Sequence, residues 1–376
     1  MFDKTENRIC HLTSVHDRYD NRIFFKQCSA LKKEGYEVHL IVADGKGDEQ
    51  NKGIFIWDVG KEEGRRKRIF KTTKKVYRKA LEVQARSYHF HDPELIPFGL
   101  KLLRKGKKVI YDAHEDYRLQ IRIKPYLNSF IRQIISRVFG LYEDYAIKRF
   151  SGILVPQRSM VPPFAKINEN TELVANTVDI EDNFDPEKKD YTNSICFHPG
   201  TLTKERGLIN MVKSFEHLNN GEKLILAGAM ESVSLHDKAK ALPGWEKVEY
   251  IGKKPYPEIR EYHKTASVGL ILFEAVGQYD FAYTVKLFEY MYYGTPVIMP
   301  DFGDWPEFNE RYRCGINVDT SDDKEIARQI QRLNQSPDLK KELGTNGHKA
   351  ILEELNWNHD AEKLVRFYAK TLQAGS

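Results

Sequence analysis

The chain alternates short apolar runs with amphipathic segments of helical spacing, and this alternation restricts its fold more than any other feature. In the first half the predicted strands are 8–14, 37–43, 54–59, 88–91, 108–112, 152–156 and 172–175. The predicted helices are 21–35, 71–86 and 94–104. Strands separated by helices of about 10–15 residues are typical of a parallel, doubly wound sheet. The sequence therefore predicts an α/β protein.

The alternation begins again after a polar, acidic stretch at 179–194, which has little to bury and is interpreted as a linker. The strands predicted beyond it are 195–198, 223–227, 248–251, 267–272, 296–299 and 315–318. The helices predicted there are 207–218, 257–264, 284–293, 323–334 and 359–372. Two similarly built halves are expected, with ligands near the carboxyl ends of the strands.

Size and composition exclude several classes of protein. A chain of 376 residues with 41% hydrophobic residues can bury two cores and is not a disordered protein. We find no apolar run of membrane-spanning length, and we expect no secretory signal at the N-terminus. The four cysteines are widely separated and lack zinc-binding spacing, which favours a reducing compartment.

Charge is distributed unevenly along the chain. Residues 1–150 carry 32 Lys and Arg against 20 Asp and Glu, although the whole chain has a net charge of only +5. The basic residues concentrate at 61–80, and a second basic segment with apolar residues at helical spacing covers 121–150. These segments are interpreted either as solvated basic helices or as a peripheral surface for anionic lipid. Nucleic acid is not expected as a partner, because no recognised reading module accompanies the charge.

The segment 197–208, FHPGTLTKERGL, has the pattern of a strand, a glycine turn and a helix start. Gly200 allows a close backbone turn and Gly207 opens the next helix, which suits a phosphate bound by backbone N–H groups. Lys204 and Arg206 can neutralise such a phosphate. Many strand–glycine–helix turns share this pattern, so the segment alone does not establish a site.

The segment 281–300, FAYTVKLFEYMYYGTPVIMP, predicts a helix with an anion-binding start. Thr284 can cap this helix, and Lys286 lies in its first turn. Glu289, near the second turn, can accept two hydrogen bonds from a sugar diol such as ribose. A surface or salt-bridged role for Glu289 remains open at this point.

The run KLFEYMYYGTPVI at 286–298 resembles the nucleotide-sugar signature of retaining GT-B glycosyltransferases of glycosyltransferase family 4. In the bacterial polysaccharide, O-antigen and capsule branch of that family the run often reads K-L-F-E-Y-M-A-x-G-x-P-V-I. The resemblance extends over essentially the entire chain. The other segments that carry it are 14–42, 90–100, 109–117, 198–208, 223–228, 248–259 and the NWN-plus-helix ending from 356.

The resemblance implies the GT-B fold, in which two Rossmann-like domains with parallel sheets face one another across a cleft. It assigns residues 1–180 to an N-terminal acceptor-binding domain and 181–194 to a linker. Residues 195–355 would form the nucleotide-sugar-binding domain. Residues 356–376 would form a C-terminal helix that packs back toward the N-terminal domain.

The resemblance also implies roles for individual residues. Catalytic roles fall to His114, which follows a predicted strand, to Arg206 and to Lys204. The implied donor-binding residues are Gly200, Thr201, Tyr283, Thr284, Val285, Lys286 and Glu289. The implied acceptor-binding residues are His16, Asp17, His91 and Asp92. Thr201 fills a slot that is basic in the family, so either Lys204 substitutes for it or one contact to the diphosphate is missing.

The sequence departs from the family pattern at one carboxylate. The family's E-x7-E would place a glutamate at 281, where this chain has Phe281. No D-x-D-like run lies in a suitable loop, and the acidic pair Asp301 and Asp304 is interpreted as part of a loop. We therefore expect no metal and no cofactor. The departing diphosphate would be stabilised by basic side chains and helix amides.

The expected function is that of a cytoplasmic, metal-independent retaining hexosyltransferase at the inner face of the cell membrane. It would transfer a sugar from a nucleoside diphosphate, UDP being favoured over GDP, to a growing lipid-linked glycan of the cell surface, such as lipopolysaccharide or capsule. The alternatives are a catalytically silent GT-B nucleotide- or glycan-binding subunit, a nucleotide-sugar epimerase of the same fold and, third, a polyanion-binding protein.

Overall fold

The computed structural model describes residues 7–122, 128–180, 183–281 and 283–373. The chain forms two compact units. The first contains the described residues up to Asn176 together with those from Trp357 onward, and the second runs from Thr177 to Asn356. Parts of the predicted basic segment (123–127) and of the predicted linker (181–182) lie outside the described residues.

The first unit is built on an eight-stranded sheet with the order β3-β4-β2-β1-β5-β6-β7-β8. Its strands are β1 (Arg8–Leu12), β2 (Glu37–Val42), β3 (Glu49–Asn51), β4 (Ile54–Asp58), β5 (Ser87–Phe90), β6 (Lys108–Asp112), β7 (Gly152–Val155) and β8 (Thr171–Leu173). All neighbouring strands pair in parallel except β3, which pairs antiparallel with β4. Strands β2, β6 and β7 are buried almost throughout and rich in apolar residues, as is typical of strands in a parallel sheet.

Helices cover both faces of this sheet. They are α1 (Ser29–Lys33), α2 (Arg65–Lys67), α3 (Thr73–Val83), α4 (Ile96–Leu103), α5 (Tyr117–Arg122), α6 (Ser129–Ile147), α7 (Val161–Ala165) and α15 (Trp357–Gln373). Short π-helical or 3-10 stretches are Asn21–Cys28, Arg68–Thr72, Pro93–Leu95 and Arg158–Met160. Side chains of α3, α4 and α6 share one apolar core, whereas those of α1 and α15 share another. α3, α4 and α6 therefore pack on the same side of the sheet.

The C-terminal helix α15 belongs to the first unit, although the whole second unit precedes it in the chain. The hydroxyl oxygen of Tyr368 lies 2.7 Å from His89 Nδ1, and Arg86 donates a hydrogen bond of 2.8 Å to the carbonyl of Leu372. A methyl group on Gly152 would lie 2.4 Å from the Phe367 ring, so this helix packs directly on β7. The prediction that the final helix packs back toward the N-terminal domain is confirmed.

The second unit contains a six-stranded parallel sheet with the order β11-β10-β9-β12-β13-β14. Its strands are β9 (Ile195–Pro199), β10 (Lys223–Ala227), β11 (Val248–Gly252), β12 (Val268–Leu270), β13 (Val297–Pro300) and β14 (Gly315–Val318). Its helices are α8 (Leu208–Ser214), α9 (Val233–Lys240), α10 (Tyr256–Thr265), α11 (Val285–Tyr292), α12 (Trp305–Tyr312), α13 (Asp323–Asn334) and α14 (Pro337–Glu353). Its 3-10 turns are Pro186–Lys188, Phe215–His217, Pro243–Lys247 and Gly277–Asp280. The predicted α/β class with two Rossmann-like sheets is confirmed.

The described part of the predicted linker packs against the second unit. Tyr191 is buried, and the buried Lys189 ammonium donates hydrogen bonds to Thr295 and to the carbonyls of His263 and Lys264. Burial lowers the pKa of Lys189 to about 7. The polar composition therefore did not reveal that this segment packs on the second unit through buried side chains, among them Lys189 and Tyr191.

Candidate active site

The turn after β9 brings two basic side chains to one glycine. Gly200 has a φ of 109° and its N–H donates to the Ala227 carbonyl at 2.8 Å. A methyl group on Gly200 would lie 3.4 Å from Lys286 Nζ and 3.5 Å from Arg206 Nη1. Gly200 has no side chain, so it leaves the space beside Lys286 Nζ and Arg206 Nη1 open.

The loop that follows positions Arg206 but leaves Lys204 in solvent. Arg206 Nη1 donates to the Thr201 carbonyl at 3.3 Å, and the Arg206 N–H donates to Thr203 Oγ1. The side chains of Thr201 and Lys204 are exposed. Gly207 ends the loop with a φ of 80° against the carbonyl of Leu272. The structure thus brings Arg206 to Gly200, and the second cation beside that glycine is Lys286.

Lys286 is held in the first turn of α11 by its surroundings. Its side chain is buried, and Nζ lies 3.1 Å from His198 Nε2. Burial lowers the pKa of Lys286 well below its usual value, and the Arg206 guanidinium acts in the same direction. The Glu289 carboxylate, one turn further on, opposes these effects.

Glu289 lies on the same helix and is 8% exposed. Its Oε2 lies 3.3 Å from Nε2 of His263, a fully buried histidine that packs against the rings of Tyr290 and Tyr293. The hydroxyl of Thr284 at the helix start is buried and has no hydrogen-bond partner among the described atoms. α11 therefore presents a buried lysine, a carboxylate and a hydroxyl without a hydrogen-bond partner within about two turns.

The segment before α11 has a structural attachment to α12. The Tyr283 hydroxyl donates to the Asp304 carbonyl at 3.0 Å, and the Tyr283 ring packs against Trp305 and Phe308. The Asp304 N–H donates to the Asp280 carbonyl at 2.7 Å. Phe281 is partly exposed beside this contact. The predicted donor residue Tyr283 thus anchors the loop through both its ring and its hydroxyl.

A cluster of histidines lies at the carboxyl ends of three strands in the first unit. His11 Nδ1 lies 3.0 Å from His91 Nε2, and His91 Nδ1 lies 3.1 Å from His114 Nε2. His11 and His91 are fully buried, and burial lowers the pKa of both well below the usual value. At neutral pH this chain of rings is therefore uncharged at His11 and His91.

Asp112 at the end of β6 is the anion of this cluster. Arg22 forms two hydrogen bonds to its carboxylate, of 2.9 and 2.8 Å, and Gln27 donates a third of 2.7 Å. Burial alone would raise the pKa of Asp112, but Arg22 and then His114 lower it well below the usual value. The His114 ring, 3.4 Å from the same carboxylate, is thereby held by a permanent negative charge.

His16 and Asp92 lie beside His114, whereas Asp17 does not join them. The His16 ring centroid is 4.8 Å from that of His114, and His16 Nε2 is 3.6 Å from Asp92 Oδ1. Burial alone would lower the pKa of His16, but the hydrogen bond with Asp20 and the Asp92 charge raise it. Asp92 also accepts hydrogen bonds from the Ser14 N–H and from two hydroxyls, and Asp17 is exposed.

Two groups in this cluster have atoms close enough to surround a metal ion. They are His11, His89 and His91, and His91, Asp112 and His114. In the second group, however, the carboxylate oxygen nearest to the histidines already accepts from Arg22 and Gln27. A cation placed there would also face the Arg22 charge. The donor set of His91, Asp112 and His114 therefore fits a hydrogen-bonded network better than a metal centre.

Two models of known protein families match this chain, one over each half. The family model described as "Glycosyltransferase Family 4" matches residues 21–182, and the one described as "Glycosyl transferases group 1" matches residues 179–350. The two matches together extend over 21–350. The chain belongs to glycosyltransferase family 4. No curated protein sequence matches it.

Solved structures support the GT-B fold of this family 4 glycosyltransferase. Sucrose-phosphate synthase from Thermosynechococcus elongatus aligns with a TM-score of 0.76 at 14% identity, covering 98% of this chain and 100% of the other. Anabaena HepE in complex with UDP-glucose aligns with a TM-score of 0.72 at 13% identity, covering 96% and 99%. A trehalose-phosphate synthase from Burkholderia xenovorans in complex with glucose-6-phosphate aligns with 0.66 at 12%, covering 98% and 100%.

Several residues of this family 4 enzyme's two clusters were not predicted as site residues. They are His198 and His263 in the second unit, and Arg22, His89, Asp112 and Tyr368 in the first. The alternating histidines of the strand segment YHFHD and the aspartate of YDAHE were the available signal in the first unit. His198 and His263 gave none, because each is a single histidine in an otherwise ordinary strand or helix.

Proposed function

We propose that this family 4 enzyme transfers a hexose with retention from a nucleoside diphosphate sugar, with UDP as the favoured nucleotide. The observation that carries the proposal is the convergence of Arg206 and Lys286 on Gly200, with Glu289 on the same helix as Lys286. Two cations suit a diphosphate, and a carboxylate about one turn away suits the ribose diol. The structural neighbour HepE from Anabaena, solved with UDP-glucose, supports the choice of nucleotide.

In this mechanism the donor breaks at its sugar–phosphate bond. Arg206, Lys286 and the amides at the start of α11 stabilise the negative charge that develops on the leaving diphosphate. Glu289 orients the nucleoside, and Thr284 offers its free hydroxyl to a phosphate oxygen. The acceptor oxygen bonds to the anomeric carbon on the face that the diphosphate leaves, and a diphosphate oxygen takes the proton of that hydroxyl. No step requires a metal, since the leaving group is already a good one.

The first unit provides the acceptor side of the proposal. His114 and His16 lie at strand ends, where they can contact the acceptor hydroxyl or the transferred sugar. Asp112 and Asp92 hold these rings in place. His91 is buried between His11 and His114, and its contact with the His114 ring helps to hold that ring in position.

We further propose that the acceptor is a lipid-linked glycan of the bacterial cell surface, and that the first unit meets an anionic membrane from the cytoplasmic side. The main support is α6, whose apolar side chains are largely in solvent. Phe130 and Leu141 are each 68% exposed and Val138 is 62% exposed. The other exposed apolar residues of this helix are Ile131, Ile134, Ile135, Tyr142 and Tyr145. A patch of this kind marks an interaction surface.

The charges around this patch are basic. Glu143 and Asp144 are both paired with Arg118, whereas Arg137 and Lys148 are exposed. The basic segment 61–80 exposes Arg65, Arg66, Lys67 and Lys71 next to Phe70, which is 69% exposed. Apolar side chains flanked by cations suit the interface of an anionic bilayer. None of the helices in the described residues is both long enough and apolar enough to cross a bilayer.

The donor site is tested by thermal unfolding with UDP, GDP, ADP and their sugars, for the wild type, Glu289→Ala and the exposed control Glu249→Ala. One nucleotide is expected to raise the melting temperature of the wild type and the control, because a ligand at about 100 times its Kd stabilises by about 2.7 kcal/mol. Glu289→Ala should lose most of that shift. If no nucleotide shifts the wild type, the donor site is wrong.

A second candidate is a catalytically silent nucleotide-binding subunit, which the phenylalanine at position 281 favours. Binding alone does not separate it from the enzyme. The decisive measurement is release of UDP from a bound UDP-sugar, followed with a lipid-linked acceptor and with water. Turnover with an α-linked product from an α-linked donor supports retaining transfer, and tight binding without any turnover supports the silent subunit.

A further inference from the structure

We propose that His198 is a positioning residue that holds the Lys286 ammonium beside Gly200 and so completes the diphosphate site. This proposal rests on the donor site proposed above. It adds to that site His198, a residue that does not need to contact the diphosphate. It also identifies where the second cation comes from, since the loop residue after the glycine, Thr201, cannot supply one.

The hydrogen bonds of His198 fix its tautomer. Its Nδ1 lies 2.8 Å from the carbonyl oxygen of Leu270, on the neighbouring strand β12. A carbonyl oxygen can only accept, so Nδ1 carries the hydrogen and Nε2 presents a lone pair. Lys286 Nζ, 3.1 Å from Nε2, is the donor to that lone pair.

Burial makes this contact important for Lys286. His198 is fully buried, so its ring cannot turn toward solvent and its Nε2 defines one fixed point in the core. In the described part of the chain no carboxylate lies within ion-pair distance of Lys286 Nζ. A neutral acceptor therefore orients the ammonium without neutralising it, and its charge is left for an anion. A carboxylate in the place of His198 would instead compete with the diphosphate.

The position of Lys286 relative to Arg206 gives the contact a function. The two cations lie 3.4 and 3.5 Å from the same point beside Gly200 and repel each other. Without an acceptor behind it, the flexible Lys286 side chain would relax away from Arg206. His198 prevents that movement, because the hydrogen bond holds Nζ in place before the ligand arrives. The site is thereby organised in advance for two negative charges.

Calorimetric binding of UDP and UMP to single and double variants tests the proposal. Lys286→Met is expected to lower the UDP affinity about 10- to 100-fold, because a charge-assisted contact is lost. His198→Leu should lower it about 5- to 10-fold, and UMP affinity should fall less in both variants. His198→Gln, which keeps an acceptor near the Nε2 position, should recover most of the loss. Lys238→Met removes an exposed lysine of the same unit and serves as the control for net charge.

The double variant His198→Leu/Lys286→Met separates positioning from a general effect on folding. If His198 acts through Lys286, the double variant binds UDP as weakly as Lys286→Met alone. Additive losses, or an unchanged UDP affinity in His198→Leu, overturn the positioning role. If UDP does not bind but GDP or ADP does, that diphosphate and its monophosphate replace UDP and UMP. If the wild type binds none of the three, the proposed function fails and this proposal fails with it.

Discussion

Glycines in the turn and loop after β9 are required by contacts as well as by backbone angle. Gly207 has a φ of 80°, and a methyl group on it would lie 1.9 Å from the Leu272 carbonyl oxygen. Gly221, in the same unit, has a φ of 83° but no atom within 4 Å of that position. Substitution of Gly221 therefore tests the cost of the backbone angle alone. Substitution of Gly207 tests that cost together with the cost of the steric clash.

We expect Gly221→Ala to lower the free energy of unfolding of the second unit by about 1–2 kcal/mol, the cost of a left-handed residue. Gly207→Ala should lower it by about 2–5 kcal/mol, because overpacking adds to that cost. Urea unfolding of the two variants and the wild type measures the difference. Equal losses would show that the Leu272 carbonyl moves away without cost.

At the residue level the sequence indicated part of the cluster beside Gly200. Arg206, Lys286 and Glu289 were predicted from loop and helix patterns, and the structure places Arg206 and Lys286 together. Lys204 was predicted beside them, but spacing in a loop does not determine which of two nearby basic side chains turns inward. Asp112 was not predicted as a site residue because an acidic residue at a strand end is common and only the fold brings Arg22 to it.

At the level of elements, the apolar stripe of α6 gives a direct prediction. Replacing Phe130, Val138 and Leu141 together by serine should weaken binding to vesicles of phosphatidylcholine and phosphatidylglycerol about 100-fold. Each side chain is expected to lose roughly 1 kcal/mol of burial in the lipid. Co-sedimentation with these vesicles measures the loss, and the exposed Gln133→Ser on the same helix is the control.

Two other results would contradict the proposed membrane role of α6. Binding that the triple variant leaves unchanged would show that only the basic residues act. A wild-type chain that forms a dimer in solution, and a triple variant that is monomeric, would show that a second copy covers this face. Vesicle binding should also weaken as salt concentration rises, because the cations beside the stripe are exposed.

Elements were predicted where one pattern dominated and missed where the pattern was weak or interrupted. The bounds predicted for β6, β10, β14 and α13 agree with the structure. α14 was missed because Gly344 and Gly347 lower its helix propensity. These glycines are needed for packing, since a methyl group on Gly344 would lie 2.1 Å from the Gly294 carbonyl. β3 was missed because its three residues, EQN, are polar and pair only with β4 at the sheet edge.

At the scale of the whole molecule, the first unit consists of two segments that are remote in sequence. Lys26 connects them, because its ammonium donates to Asn176 Oδ1 at 2.9 Å and lies 5.8 Å from the centre of the Trp357 ring. Val178 and Asn356 form an isolated parallel bridge at the start and end of the second unit. The two segments of the first unit therefore meet where the second unit is inserted.

We expect residues 1–176 alone not to fold. Without α15 they lose the packing of Leu364, Phe367, Tyr368 and Leu372, each worth about 1.5–3 kcal/mol, which together approaches the entire stability of a domain. The same residues joined through a short Gly-Ser linker to 357–376 should fold cooperatively. Near-UV circular dichroism and urea unfolding compare the two chains. Cooperative folding of residues 1–176 alone would contradict the requirement for α15.

The insertion of one unit into the other sets an order of events during synthesis. The ribosome makes all of 177–356 before it makes the helix that completes the first unit. At about 5–20 residues per second, this interval lasts roughly 10–35 seconds. During that time the apolar surface that α15 will cover, including Ile9, Ile110 and Leu154, has no permanent partner. The nascent first half therefore exposes aggregation-prone apolar surface during this interval, and the first unit is complete only when α15 has been made.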